Sequence, residues 1–425
     1  MHIMSDDGID TLVSDAVFAA DAGAREKSRR IIGELARDRG VFPASTQHLY
    51  EAAGKGLYSG ITVPAINIRG ITYQVARAVF GAALKGNVGA FIFELARSEI
   101  GYTKQSPGEY AACILAAAVK EGFRGPVFLQ GDHFQVNRAR FSADPEEELN
   151  ALKGLVSQAL EADFLNIDID ASTLVDLSKA TLEQQQEENC RVTAELTRYI
   201  RQIEPEATTV SIGGEIGEVG KANSTVDDLR AFMRGYRNFL GPEVKGISKI
   251  SVQTGTTHGG VVLPDGSVAQ VKLDFDTLKK LSRVAREEYG LGGAVQHGAS
   301  TLPEEAFDRF PQVGTLEVHL ATGFQNMIYD SPHFPQDLLK EIRRHLLEKY
   351  STERKESDSE EQFIYKTRKK AFGDFKKEMW ALPEQSIARI REALEARFSL
   401  LFHKLNVTNT VDLVDRFVVK AQRSG

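Results

Sequence analysis

Apolar positions along this chain switch between two periods. From about residue 60, short runs that are apolar or alternate in polarity end in glycine or a polar residue. A stretch with apolar residues three and four apart then follows each run. Eight runs stand out: ITVPAINI (61–68), GAFIFELA (89–96), PVFLQGDH (126–133), DFLNIDID (163–170), TTVSIGGE (208–215), ISKISVQT (247–254), GAVQH (293–297) and TLEVHLAT (315–322). Their length and composition predict strands. Between them, SPGEYAACILAAAVKEGF, PEEELNALKGLVSQALEA and DTLKKLSRVAREEYG carry the spacing of amphipathic helices. Strand–helix alternation predicts parallel strands joined by right-handed crossovers. Eight such units in roughly 260 residues match an α/β fold of the (β/α)8 or TIM-barrel class. A doubly wound open sheet competes, but no Gly-x-Gly-x-x-Gly opens a helix after the first run.

The barrel is expected over residues 61–330. Residues 1–60, with AREKSRRIIGELARDRG, read as an N-terminal helical extension, and residues 331–425 as a C-terminal one. EKYSTERKESDSEEQF (348–363) reads as an exposed, charge-dense connection. The helical stretch EQSIARIREALEARFSLLF needs a surface for its apolar face. That predicts a homodimer or homotetramer, or packing on the chain's own barrel.

Composition narrows the class. The 425 residues are 42% hydrophobic and 26% charged, as in globular proteins. A net charge of −7 without a basic domain argues against nucleic acid as a partner. Two cysteines, Cys113 and Cys190, are too few for a disulfide framework and fit a reducing compartment, so a cytoplasmic protein is expected. The acidic start MHIMSDDGID lacks the features of a signal peptide, and no run of apolar residues is long enough to predict a membrane partner.

Barrel chemistry sits at the carboxyl ends of strands. Asp132 and His133 end the third run, Asp170 and Ser172 follow the fourth, and Glu215 ends the fifth. His258 follows the sixth, in QTGTTHGG, and His297 ends the seventh. Three imidazoles on one rim are a zinc constellation that leaves a fourth position for substrate. Glu215 is a further ligand or a carboxylate orienting a histidine. Glycine directly follows His258 and His297 and lets backbone amides approach an anion.

Taken in order, VPAINI, GDH, DIDAS, GEIGEVG, GTTHGG, HGAS and GTLEVHLAT resemble the class II, metal-dependent ketose-bisphosphate aldolases, over roughly residues 60–325. The resemblance implies Zn2+, or another divalent metal, held by His133, His258 and His297, with Glu215 at an alternative metal position. It implies that Asp132 handles the C4 hydroxyl proton and that Asn67 and Asp170 belong to the site. Gly259, Gly298 and Ser300, with backbone amides near Thr322, are the implied phosphate site. The implied reaction is C3–C4 cleavage or formation in a phosphorylated ketose, such as fructose-1,6-bisphosphate. It runs through a metal-stabilised enediolate of dihydroxyacetone phosphate, with residues 216–226 as the loop that excludes water.

Three positions depart from the family. Its mobile glutamate matches Asn223, which cannot exchange a proton; Glu218, Asp227 and Asp228 are the nearby acids. In the eighth run His319 replaces an asparagine and Gly323 an aspartate. His319 is therefore a candidate acid or base, or else a packed strand histidine. The second run ends in Glu94, Ala96 and Arg97. Arg97 is either a fork for an anion or one half of a surface salt bridge. Metal-assisted epimerisation of a sugar phosphate and a non-catalytic partner subunit are the alternative functions.

Overall fold

The computed structural model describes residues 6–217, 222–255, 262–265, 267, 269 and 273–418. Nine strands are present among the described residues: β1 (Val41–Ala44), β2 (Val63–Asn67), β3 (Ile92–Ala96), β4 (Gly125–Gln135), β5 (Asn166–Asp170), β6 (Ser211–Glu215), β7 (Lys249–Val252), β8 (Ala294–Gln296) and β9 (Glu317–Leu320). Strands β2 to β9 each overlap one of the eight predicted runs. They pair in parallel in the order β4-β3-β2-β9-β8-β7-β6-β5, and β4 pairs with β5 to close the ring. The fold is therefore a (β/α)8 barrel with additional helices. Strands β2, β3 and β5 are buried at every position because helices cover the outside and side chains fill the lumen. Such strands read as near-continuous apolar runs.

Helix boundaries follow their caps. Ser106 accepts a bond from the Glu109 amide, Pro107 opens the helix Pro107–Glu121, and Gly122 at φ 77° ends it. Asp274 caps Phe275–Tyr289 in the same way, with Gly290 at φ 71° beyond its end.

The N-terminal segment departs from the helical expectation in one place. Between the helices Ala22–Asp38 and Gln47–Gly54 lies β1, with Val41 opposite Gly125 and Ala44 opposite Phe128. It pairs with the first half of β4, before β5 takes over from Gln130. Pro43 is tolerated because β1 has a neighbour on one side only.

After the barrel, the helix Glu384–Lys404 lies on the chain's own helix Thr72–Gly86, where Arg391 Nη1 donates to Gln74 Oε1 at 3.1 Å. Its Phe398 ring stands 4.7 Å from Phe324, and Phe402 stands 5.6 Å from Phe91. The apolar face that suggested assembly is thus covered within the chain. Residues 365–376 pass across the barrel mouth and are locked there. A Cβ on Gly70 would overlap the Phe372 ring, and one on Gly373 would overlap the Tyr102 carbonyl oxygen. Asp374 accepts from Lys104 at 3.0 Å, Lys349 at 2.8 Å and the Tyr350 hydroxyl at 2.7 Å, and lies 3.0 Å from His345 Nε2. Among the described residues no helix is long and apolar enough to cross a membrane. Cys113 and Cys190 are buried free thiols.

Candidate active site

The strand order brings the predicted rim residues of β4, β5, β6, β8 and β9 together at one mouth. The local key is a bulge in β4. Its pairing with β5 is regular to Gly131 opposite Ile167, then shifts, and resumes with Phe134 opposite Ile169. His133 in the bulge has φ 42°, a left-handed conformation that costs a non-glycine residue about 1–3 kcal/mol. A bulge re-aims side chains, and here Asp132 and His133 both line the cavity instead of alternating across the strand.

His133 Nδ1 lies 2.9 Å from Asp170 Oδ2 and 3.2 Å from Glu215 Oε2. Its ring meets that of His297 edge-on, with centroids 4.1 Å apart. Asp132, His133 and His297 each offer a ligand atom, and these atoms lie within 4.8 Å of one another. Burial works against a charge on His133, but Asp132, Glu215 and Asp170 outweigh it and raise its pKa well above the usual value. The same carboxylates favour a cation beside the two imidazoles, and two imidazoles with carboxylate oxygens are a zinc-type donor set. His258 and Gly259 lie outside the described residues.

Glu215 answers to its surroundings. Burial first, then repulsion from Asp170, pushes its pKa up to about 7, so near neutrality it alternates between acid and carboxylate. Asp170 goes the other way. Burial raises its pKa, but bonds from His133, Ser172 and Gln135 overcome that and hold it below the usual range.

Asp132 is gripped on both oxygens. Oδ2 accepts from Asn67 Nδ2 at 3.0 Å, and Oδ1 lies 3.2 Å from His319 Nδ1. Burial would raise its pKa, yet His133, His319 and His297 hold it far below the usual carboxylate range. It is therefore a carboxylate, able to accept a proton. His319 stacks beside His297 with centroids 4.1 Å apart and has carboxylates at both ring nitrogens, so its pKa is raised despite burial.

The cavity above this centre has a volume of about 1030 Å³ and reaches Gly298, Ser300 and Thr322 on one wall. Gly298 sits at φ 69°. Ser300 Oγ accepts from the Ala321 amide at 2.6 Å, and Thr322 begins the helix Thr322–Tyr329. A helix N-terminus after the last barrel strand is a ready anion site. Gly323 has a steric reason. Its Cβ would stand 2.9 Å from the Ser300 carbonyl oxygen, so the family's aspartate does not fit this backbone.

Arg97 reaches the cavity but is otherwise engaged. Nη1 donates to the Gln135 carbonyl at 2.6 Å and to Glu148 Oε1, and Nη2 donates to Glu148 Oε2 at 3.3 Å. Its fork thus forms the ion pair that was the alternative expectation. Asn223 Nδ2 donates to Asp274 Oδ2 at 3.1 Å, beside the start of a helix. Asp228 accepts from the Thr225 amide in the capping box that starts Val226–Leu240, and Asp227 lies 3.5 Å from Arg230. Glu218 lies outside the described residues.

Arg69, Arg140, Lys366 and Lys369 also line the cavity and were not singled out from the sequence. Arg69 follows β2 and donates to Glu99 Oε1 at 2.8 Å, Gln325 Oε1 at 2.9 Å and Thr322 Oγ1 at 3.1 Å. Lys369 comes from the segment across the mouth and lies over the Tyr102 ring at 5.3 Å. Burial, and then Arg69, lower its pKa, which an arriving anion would reverse. Arg69 could have been noticed as a cation directly after a strand end. Lys369 sits in a charge run that reads as solvated surface.

The structural comparisons agree with this architecture. The YdjI aldolase from Escherichia coli K12 is 13% identical, with 86% of this chain and 98% of that chain covered and a TM-score of 0.52. The fructose-bisphosphate aldolase from Campylobacter jejuni is 18% identical, with 87% and 96% covered and a TM-score of 0.52. The fructuronate-tagaturonate epimerase UxaE from Cohnella laeviribosi is 11% identical, with 93% and 90% covered and a TM-score of 0.62. At these identities the likeness is one of fold. No curated protein matches the sequence. The family described as fructose-bisphosphate aldolase class-II matches residues 44–394, and with that span the chain belongs to the class II fructose-bisphosphate aldolase family.

Proposed function

We propose that this chain is a zinc-dependent aldolase that cleaves and forms the C3–C4 bond of a phosphorylated ketose. The observation that carries the reading is the meeting of Asp132, His133 and His297 at the base of a cavity lined by cations. Zinc or another divalent cation, when bound there, polarises the ketose carbonyl. Asp132 accepts the C4 hydroxyl proton as the bond breaks, and Asn67 and His319 hold it ionised and aimed. Gly298, Ser300 and the helix start at Thr322 take the phosphate of the three-carbon end. Arg69, which donates to Thr322 Oγ1, adds its charge to that site, and Lys369 takes an anionic group at the other end. Residues 365–376 narrow the mouth and limit water.

Epimerisation at C4 is the second reading, and Asn223 favours it. A net cleavage must protonate the carbanion left on the three-carbon fragment, and a mobile acid does this in the family. A bond that breaks and re-forms on the opposite face of the aldehyde needs no such proton. The neighbouring epimerase fold is compatible with this path.

Zinc-loaded and EDTA-stripped protein would be incubated with fructose-1,6-bisphosphate and, separately, tagatose-1,6-bisphosphate. Chelator-sensitive release of triose phosphate supports the aldolase. Interconversion of the two ketoses without triose release supports the epimerase. Bound zinc with neither product refutes a bisphosphate substrate.

A further inference from the structure

Below Asp132 the barrel lumen holds a set of charges that the proposed reaction does not use. Lys249 of β7 is 1% exposed, and its ammonium meets partners from three other strands. These are Gln130 Oε1 at 2.7 Å, Asp168 Oδ1 at 3.0 Å and Glu317 Oε1 at 2.5 Å. Glu317 also accepts a bond from the Tyr50 hydroxyl. Glu317 Oε1, the oxygen that Lys249 meets, lies 2.6 Å from His319 Nε2, while the opposite nitrogen of that ring faces Asp132 Oδ1 at 3.2 Å and Glu94 Oε2 at 3.1 Å. Gln130 Nε2 ties the layer together, donating to Glu94 Oε2 and to Glu317 Oε1, each at 2.9 Å. The backbone leaves room for the cluster. A Cβ on Gly213 of β6 would overlap Asp168 Oδ1 and stand 3.0 Å from Lys249 Cε.

Stability does not account for this arrangement. Barrel lumens are ordinarily filled by valine, isoleucine and leucine. Replacing a buried ion pair by apolar residues of similar volume is often neutral or stabilising, because desolvation offsets the attraction. What the cluster does supply is direction. Each link is bound on both sides, and the series ends on the His319 nitrogen that faces Asp132. An imidazole held at both nitrogens has neither torsion free.

We infer that Lys249 and Glu317 are positioning residues for the reacting carboxylate: Lys249 fixes Glu317, Glu317 fixes the His319 ring, and His319 fixes Asp132. This rests on the role of Asp132 proposed above. Neither Lys249 nor Glu317 lines the cavity, so both act only through other side chains.

The test is the charge-neutral double variant Lys249→Met/Glu317→Leu in the full-length, zinc-loaded protein. Two readouts are taken: turnover, and the His319 Nε2–H resonance in protein labelled with 15N-histidine. The wild type is expected to show that proton far downfield, as the 2.6 Å contact to a carboxylate requires. The double variant is expected to fold, retain zinc and lose that signal. Its kcat is expected to fall about 100-fold, the size of effect that misplacement by an ångström produces, while KM changes little. Retention of the signal, or its loss with kcat unchanged, overturns the inference. If the double variant does not fold, Glu317→Gln replaces it. There the signal moves upfield and kcat drops about tenfold, since a neutral acceptor is weaker; an unmoved signal with unchanged kcat overturns the inference. If the wild type turns over no phosphorylated ketose, the functional reading fails by itself. The resonance still decides whether Lys249 and Glu317 hold the ring.

Discussion

Asn67 donates through Nδ2 to Asp132 Oδ2 at 3.0 Å and, through the same nitrogen, to Glu99 Oε2 at 2.9 Å. The amide bridges the reacting carboxylate to a second carboxylate that is itself paired with Arg69. Asn67→Ala removes one of the two groups that orient Asp132. A hydrogen bond to a charged group is worth about 1.5–3 kcal/mol, so kcat is expected to fall about tenfold or more at unchanged zinc content. Steady-state kinetics with metal analysis on the same sample checks it.

His133→Ala and His297→Ala each remove an imidazole from the group whose ligand atoms lie within 4.8 Å. Both variants are expected to bind zinc at least 10-fold more weakly and to lose turnover. Wild-type protein should gain thermal stability on zinc addition in proportion to the logarithm of free zinc, because a ligand that binds only the folded state stabilises it that way. Calorimetry across a zinc titration reads both; a variant that titrates like wild type removes that histidine from the ligand set.

Lys369 lines the cavity and lacks a carboxylate partner within ion-pair distance among the described residues. Lys369→Met is expected to raise KM for a bisphosphate about 10- to 100-fold with little change in kcat, the loss of one charge-assisted contact. A ketose phosphorylated only at the three-carbon end should show no such change. Equal effects on both substrates would place Lys369 outside the substrate's reach.

Asp374 is nearly buried and accepts from Lys349, Tyr350 and Lys104, with His345 also at hydrogen-bonding distance. Burial would raise its pKa, but those partners hold it well below the usual aspartate value. A depressed pKa stabilises the fold above the unfolded value, about 4, and that contribution is lost as pH falls through the folded value. Asp374→Asn should therefore lower Tm by a few degrees at pH 7, and the gap from wild type should close below about pH 4. Thermal melts across pH 3–7 test the sign; a gap that widens in acid contradicts it.

Much of the barrel was legible because its strands are buried on both faces, so each appears as a local apolar run that needs no partner to be seen. β1 was not, since VFPA is four residues long and contains proline. Lys249 was passed over for a related reason. In ISKISVQT a lysine between Ser248 and Ile250 reads as the solvent side of a strand, yet in a closed barrel that side is the lumen. His319 was visible as a departure from the family, but its partners on β3, β4 and β9 were not.

What the sequence determined by itself was the succession of elements and the supply of imidazoles and carboxylates at strand ends, because strand and helix periods and cap residues act over a few positions. Tertiary structure decided which of those groups meet. Sheet closure sets Asp132 against Asn67, 65 residues before it, and against His319, 187 residues after it. A one-residue bulge at His133, whose cost only the surrounding packing sustains, turns two adjacent side chains into the same cavity.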